Sequence, residues 1–170
     1  MGVEARGKTM NPFPHIYQVS ARGSIAGTVP VASQGVPNIE TAPPPEFDGP
    51  GDVWSPETLL VAAVANCFIL TFRAVSRAAR FEWEQIECSV DGVLERVSGV
   101  TQFSRFSTRA KLTIKAGSDS AKAQELLQRA EKACLVANSL RGERHLQAEI
   151  VETASLPSGA PAWAPSTAAP

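Results

Sequence analysis

The residues with the clearest capacity for chemistry are three cysteines, Cys67, Cys88 and Cys134. A cysteine attacks as its thiolate. A free thiol titrates near pKa ~8.5, so only a few per cent of it is ionised at neutral pH, and apolar burial lowers that fraction further. Cys67 stands in "SPETLLVAAVANCF", residues 55–68, which opens like a helix and continues as nearly solid hydrocarbon. A nucleophilic Cys67 would need a fixed cation beside it. Arginine suits that role, since it is always charged and its planar fork can hold a thiolate and a carboxylate together. Glu57 stands ten residues before Cys67 in the same stretch. Each residue also has a plainer reading. Cys67 fits a core position, Glu57 complements the dipole of a first helical turn, and Arg22, beside Gly23 at the end of a hairpin strand, fits a solvated surface position.

The other candidates are weaker as chemistry. Cys88 alternates with Ile86 and Val90 on one face of a strand, and a cysteine so placed packs as a small hydrophobe. Cys134 lies on the apolar stripe of a second helix, where local pattern again suggests core. His15 and His145 stand alone at strand starts with no partner base or ligand in sequence. The cysteines are widely spaced and lack a CxxC pair, which argues against a structural zinc site. With no phosphate loop and no ligand cluster, neither a metal nor an organic cofactor is expected. An acyl transferase built on Cys67 would want a placed histidine base, and none is evident.

The elements that must position these residues follow from period and punctuation. Residues 15–22 and 27–33 read as a hairpin turning through Gly23–Gly27. Residues 36–54, with five prolines (37, 43, 44, 45 and 50), read as a long loop. The first helix starts at Ser55 as N-cap with Pro56 at its first position and Glu57 in its first turn, and runs to about residue 80. Its first two-thirds have almost no polar face, so something must cover it on both sides. Strands are expected over 83–96 and 100–115, joined at Ser98-Gly99. A second helix follows over 119–138 and a closing strand over 145–152. The order ββ-α-ββ-α-β describes an α+β fold of mostly antiparallel sheets around two helices. One domain spans 14–154. Residues 1–13 and the Pro/Ala/Ser-rich 155–170, "SLPSGAPAWAPSTAAP", read as tails.

Bulk composition narrows the function class. A chain of 170 residues with 44% hydrophobic and 19% charged side chains can build one core without disulfide staples. A net charge of −1, with both signs mixed along the chain, offers no clustered positive surface for nucleic acid or anionic lipid. The run from Leu59 to Phe72 is too short to span a bilayer, and the N-terminus has no apolar signal core. The expected location is the cytoplasm, free of membrane and nucleic-acid partners.

Taken together, "SPETLLVAAVANCF" and "AEKACLVANSL" (130–140) resemble the OsmC/Ohr family of thiol-dependent peroxidases, over about residues 15–152. Pro56-Glu57 followed ten residues later by Cys67, with Cys134 near the end of the second helix, is the family's pattern. The resemblance implies an intertwined homodimer with two sites at the subunit interface. It implies that Cys67 attacks an organic hydroperoxide and that Cys134 resolves the resulting sulfenic acid as a disulfide. It also implies an arginine, for which Arg22 is the candidate, that activates the thiol and is held by Glu57. An external thiol (a dihydrolipoyl group, thioredoxin or a small thiol) would return the electrons. One departure stands out: the family's best-known branches usually place proline after the second cysteine, and here Leu135 and Val136 follow it.

Helix geometry bears on this picture. Ten residues span ~15 Å of a continuous helix, so Glu57 and Cys67 of one chain would not meet. A partner helix crossing antiparallel could present its own Glu57 to this Cys67, which would also cover the all-round apolar helix. The alternative function is a non-catalytic dimer that binds a small apolar ligand, its cysteines structural.

Overall fold

The structure, a computed structural model, describes residues 11–153. The tail read at 155–170, and all but 11–13 of the one read at 1–13, lie outside the described residues. The described residues divide into two compact units, with the boundary between Thr58 and Leu59.

In the first unit three short strands form an antiparallel sheet in the order β1 (Ser20–Ala21), β2 (Val29–Ala32), β3 (Ile39–Thr41). The first strand is much shorter than the expected 15–22. Ile16, Tyr17 and Val19 are exposed rather than paired, and β-type side chains without a neighbouring strand do not make a strand. The third strand was not expected, because the prolines flanking it at 37 and 43 read as loop. It lies at the edge of its sheet, where flanking prolines do no harm to the ladder. The chain then makes a 3-10 turn at Pro45–Phe47. A Cβ on Gly49 would lie 1.6 Å from the Pro43 carbonyl oxygen, so only glycine fits this close passage. The return is fixed by the Ala42 N–H donating to the Trp54 carbonyl at 3.0 Å, which delivers the chain to a buried Ser55.

Helix α1 runs without a break over Pro56–Ala78. Its start is a reciprocal cap: the Thr58 N–H donates to Ser55 Oγ at 3.1 Å, and the Ser55 N–H donates to Thr58 Oγ1 at 3.0 Å. Two of the donors orphaned at a helix start are thereby satisfied. With 23 residues and a mean hydropathy of 1.9 over its most apolar window, α1 is long and apolar enough to cross a membrane. The expected limit on its span, set by the run from Leu59 to Phe72, is thus exceeded, and only 17% of that window is buried among the described residues. Val64, Phe68, Phe72 and Ser76, spaced by four, are its buried line.

The second unit sets this line against a three-stranded sheet, β4 (Gln85–Val97), β5 (Val100–Lys115) and β6 (Glu143–Thr153), and against α2 (Ser120–Ala133). The β4–β5 hairpin turns on Ser98 and Gly99, both with positive φ, the backbone that a two-residue loop between twisted strands requires. Strand β6 pairs with β5 in parallel, which a chain can reach only through a crossover, here α2 and the short segment after it. The inward residues of β5 are those its alternation indicates: Phe106, Thr108, Ala110, Leu112 and Ile114 are all buried. Phe68 and Phe72 meet Leu112, Ile114, Leu126 and Leu127 in the main core. A second cluster joins Val64 and Phe106 to Cys134 and Ala137. A Cβ on Gly92 would lie 2.7 Å from Val61 and 2.9 Å from Phe103, so the bare backbone of β4 is what admits those side chains here.

Candidate active site

Cys67 lies on the flank of the buried line of α1, half-buried among Val64, Val136, Cys134 and Ala137. One turn further on, Thr71 Oγ1 stands 3.9 Å from Cys67 Sγ. The remaining neighbours come from a feature that the sequence did not announce. The second helix, expected to run through 119–138, stops at Ala133, and a separate turn, α3 (Leu135–Asn138), follows. Between them Cys134 is extended, with φ −64° and ψ 109°. Its own N–H closes α2 on the Glu131 carbonyl at 3.3 Å, and its carbonyl restarts the helix by accepting from Asn138 at 2.9 Å.

Side chains from two elements hold this break. Arg144, at the start of β6, places Nε 3.4 Å from a Glu131 carboxylate oxygen and donates from Nη1 to Asn138 Oδ1 at 2.7 Å. Asn138 Nδ2 donates to the Lys132 carbonyl at 3.0 Å, satisfying an acceptor that the end of α2 leaves over. Alanines 130, 133 and 137 are strong helix formers, so local propensity favours a continuous helix. Tertiary contacts overrule it.

The break places the first backbone N–H groups of α3 in the neighbourhood of the two thiols. The electrostatic outcome separates the pair. Burial pushes the Cys67 thiol up, but the Val136 N–H, the Cys134 thiol, the Thr71 hydroxyl and the Leu135 N–H together bring it below its ordinary value. Burial pushes Cys134 well up, and the adjacent Cys67 adds to that. Within the pair Cys67 ionises first while Cys134 keeps its proton and donates it to Cys67. No charged side chain is needed for this ordering; neutral donors suffice. Cys88, half-buried at the edge of the main core, is pushed up to about 11, first by burial and then by its neighbour Cys134.

The other sequence candidates stand elsewhere. Because α1 is continuous, Glu57 lies ~15 Å along the axis from Cys67, and the two are not brought together. Glu57 is half-buried, and its Oε2 is fully buried with no hydrogen-bond partner among the described residues. Arg22 is exposed in the first unit, where its backbone N–H donates to the Pro30 carbonyl at 3.3 Å. Its side chain forms no ion pair among the described residues. His15 Nε2 donates to the Asn11 carbonyl at 2.9 Å, and His145 lies 3.6 Å from Glu143. Among the described residues, no group of three or more His, Cys, Asp or Glu side chains could hold a metal. Sequence reading missed Thr71, Arg144 and the donors of Leu135 and Val136. Thr71 carried a signal, a hydroxyl four residues from Cys67 inside a hydrocarbon run.

Two α-helices beside a hairpin with a parallel third strand, and a cysteine on one helix facing a cysteine at the end of the other, define a dithiol protein of α+β architecture. The sequence model of the OsmC-like proteins matches residues 49–149, more than half of the chain, and the protein belongs to that OsmC/Ohr family. It is 29% identical over 109 residues to the uncharacterized protein YmaD of Bacillus subtilis, covering 62% of this chain and 73% of YmaD. Among solved structures, an OsmC-like protein of unknown function from Vibrio cholerae superposes with a TM-score of 0.73 at 16% identity, over 79% of this chain and 99% of that one. The organic hydroperoxide resistance protein OhrB of Bacillus subtilis gives a TM-score of 0.58 at 24% identity, over 81% and 98%. These likenesses show the shared fold.

Proposed function

We propose that the protein is a cysteine-based peroxidase that reduces organic hydroperoxides to alcohols, with Cys67 as the attacking thiol and Cys134 as the resolving one. The observation that carries this reading is the facing pair, in which Cys67 ionises first and Cys134 stays protonated. Family membership and the organic hydroperoxide resistance proteins among its structural relatives support it. The Cys67 thiolate attacks the terminal oxygen of ROOH. The O–O bond breaks, an S–O bond forms, and RO⁻ leaves and takes a proton to become ROH. Sulfur is thereby oxidised by two electrons to Cys67–SOH. The Cys134 thiol then displaces water from it, giving a Cys67–Cys134 disulfide. An external thiol returns two electrons and two protons to close the cycle.

The rest of the machinery belongs to a homodimer in this proposal. The buried Glu57 Oε2 without a donor is the kind of acceptor that a guanidinium satisfies, and leaving it bare costs about 1–3 kcal/mol. Arg22 is the proposed donor, with a partner subunit's helix supplying the Glu57 that one chain cannot bring to its own Cys67. The apolar side of α1 supports such a partner: Leu70 is 50% exposed on a helix whose composition is otherwise that of a core.

The test is turnover of cumene hydroperoxide with a dithiol reductant. Wild type consumes the peroxide, Cys67→Ser does not, and Cys134→Ser stops after about one equivalent of oxidation with no Cys67–Cys134 bond by intact mass. Equal consumption by wild type and Cys67→Ser would remove the proposal.

A further inference from the structure

We infer that the external thiol enters by the same side as the peroxide and attacks the Cys67 sulfur of the disulfide, so that Cys134 is the thiol released. The inference rests on the peroxidase reading for the reaction served, and it adds which sulfur the reductant takes. In the reduced chain Cys67 is half-buried, whereas Cys134 is 1% exposed. Cys67 is flanked on α1 by the exposed Asn66 and the half-exposed Leu70. Cys134 packs among Val64, Phe106 and Ala137, and all three are themselves buried.

Attack on a disulfide runs in line: the incoming sulfur approaches one sulfur from the side opposite the other, and the far sulfur leaves. An attack on Cys67 needs a path that a peroxide must also have. An attack on Cys134 would have to come through the core. The space beside Cys134 there is a cavity of about 10 Å³, with Val64, Phe106, Thr108, Glu131 and Arg144 among its walls. It has room for one water and none for a thiol-bearing chain. Closing the disulfide does not carry Cys134 outward either. Its N–H is held by the Glu131 carbonyl at 3.3 Å and its carbonyl by the Asn138 N–H at 2.9 Å, and Arg144 contacts both Glu131 and Asn138. With its main chain fixed in this way, Cys134 stays the inner sulfur of the pair.

A thiolate R′S⁻ bonds to the Cys67 sulfur, and the Cys67–Cys134 bond breaks. Cys134 leaves with the electron pair and takes up the proton that R′SH gave up. A second thiol then attacks the R′ sulfur, forms R′–S–S–R′ and returns Cys67 as thiolate. The protein gains two electrons, supplied by two thiols or by one dithiol. Leaving-group chemistry alone points the other way, since burial pushes Cys134 up to about 11 and the thiol of lower pKa leaves faster. Access decides the outcome: a sulfur that cannot be reached is not attacked, whatever the quality of its partner as a leaving group. Peroxide and reductant therefore use one entrance in turn and act on one sulfur.

The experiment oxidises the intact protein to the Cys67–Cys134 disulfide with diamide and exposes it, folded, to a short pulse of excess glutathione. The sample is quenched in acid and denatured, its free thiols are capped with N-ethylmaleimide, and peptide mass locates each label. Glutathione on Cys67 with maleimide on Cys134 is expected to exceed the reverse by about tenfold or more, a barrier gap of ~1.4 kcal/mol. Equal amounts, or an excess of glutathione on Cys134, overturn the inference, as does a failure of diamide to join the two cysteines. A second arm replaces glutathione with sulfite, which stays on the attacked sulfur as an S-sulfonate and so records the site even where a mixed disulfide is short-lived. S-sulfonate on Cys67 is expected, and S-sulfonate on Cys134 contradicts the inference. Because neither arm uses a peroxide, label on Cys67 without peroxide turnover would sink the peroxidase reading and leave the order of reduction standing.

Discussion

At the scale of single residues, the three cysteines of this chain are told apart by what surrounds their sulfur atoms. Cys67 and Cys134 share a cluster, yet one is lowered by four neutral donors and the other raised by burial. Cys88 has burial and a like neighbour, and both push it the same way. The sign for stability follows. An acid whose folded pKa lies above its unfolded value ionises first in the unfolded chain, so stability falls as pH rises through that interval. For Cys88 the interval runs from 9.0 to about 11, and the full loss amounts to about 2–3 kcal/mol. Cys67 has the opposite sign: its contribution is present above the unfolded pKa and is lost as pH falls through the folded one. Urea unfolding at pH 9 and pH 11 should therefore show a smaller loss for Cys88→Ala than for wild type. An identical loss in both would mean that Cys88 is not the buried neutral thiol described. The sequence made Cys88 legible as filler, through the alternation of its strand. It made Cys67 and Cys134 legible only as a pair whose local settings both looked like core.

At the scale of elements, what was readable was whatever depended on period and punctuation. The start of α1 was readable because Ser55, Pro56 and Thr58 all act within one turn. The β4–β5 hairpin was readable because Ser98-Gly99 supports positive φ at both positions. The break at Cys134 was not, since the helix itself carries no breaker there and the contacts around it come from Arg144 of β6, distant in sequence pattern. Strand β3 was hidden in the same way, its pairing with β2 winning over the prolines around it. The clip at the break makes its own prediction. Arg144→Met removes the contacts to Glu131 and Asn138 and leaves Glu131, whose side chain is 20% exposed, without its cation. Stability should fall by about 1–3 kcal/mol, and Cys67 alkylation at neutral pH should slow, with Arg144→Lys recovering part of both. A loss of stability with unchanged Cys67 alkylation would show that the clip does not position the thiol site.

At the scale of the whole molecule, α1 is the element that one chain leaves unfinished. Its composition asks for cover on every side, while the described chain buries one line of it, Val64, Phe68, Phe72 and Ser76. A second copy crossing α1 is the proposed cover and the proposed source of Glu57 for each Cys67. Sedimentation should find a dimer at micromolar protein, and Leu70→Glu, a charge on the half-exposed flank, should weaken it by at least tenfold in Kd, since burying an unpaired carboxylate costs more than about 1.4 kcal/mol. A monomeric wild type would instead require Glu57 to serve within its own chain or not at all. The central claim, that Cys67 is an activated peroxidatic thiol, is tested most directly by its rate. Stopped-flow oxidation of the reduced protein by cumene hydroperoxide and by hydrogen peroxide, followed through to intact mass, gives that rate and its product. The account predicts oxidation by the organic peroxide orders of magnitude faster than that of a free thiol, lost in Cys67→Ser and ending in a Cys67–Cys134 disulfide. Oxidation at the rate of a free thiol, spread over all three cysteines, would contradict it.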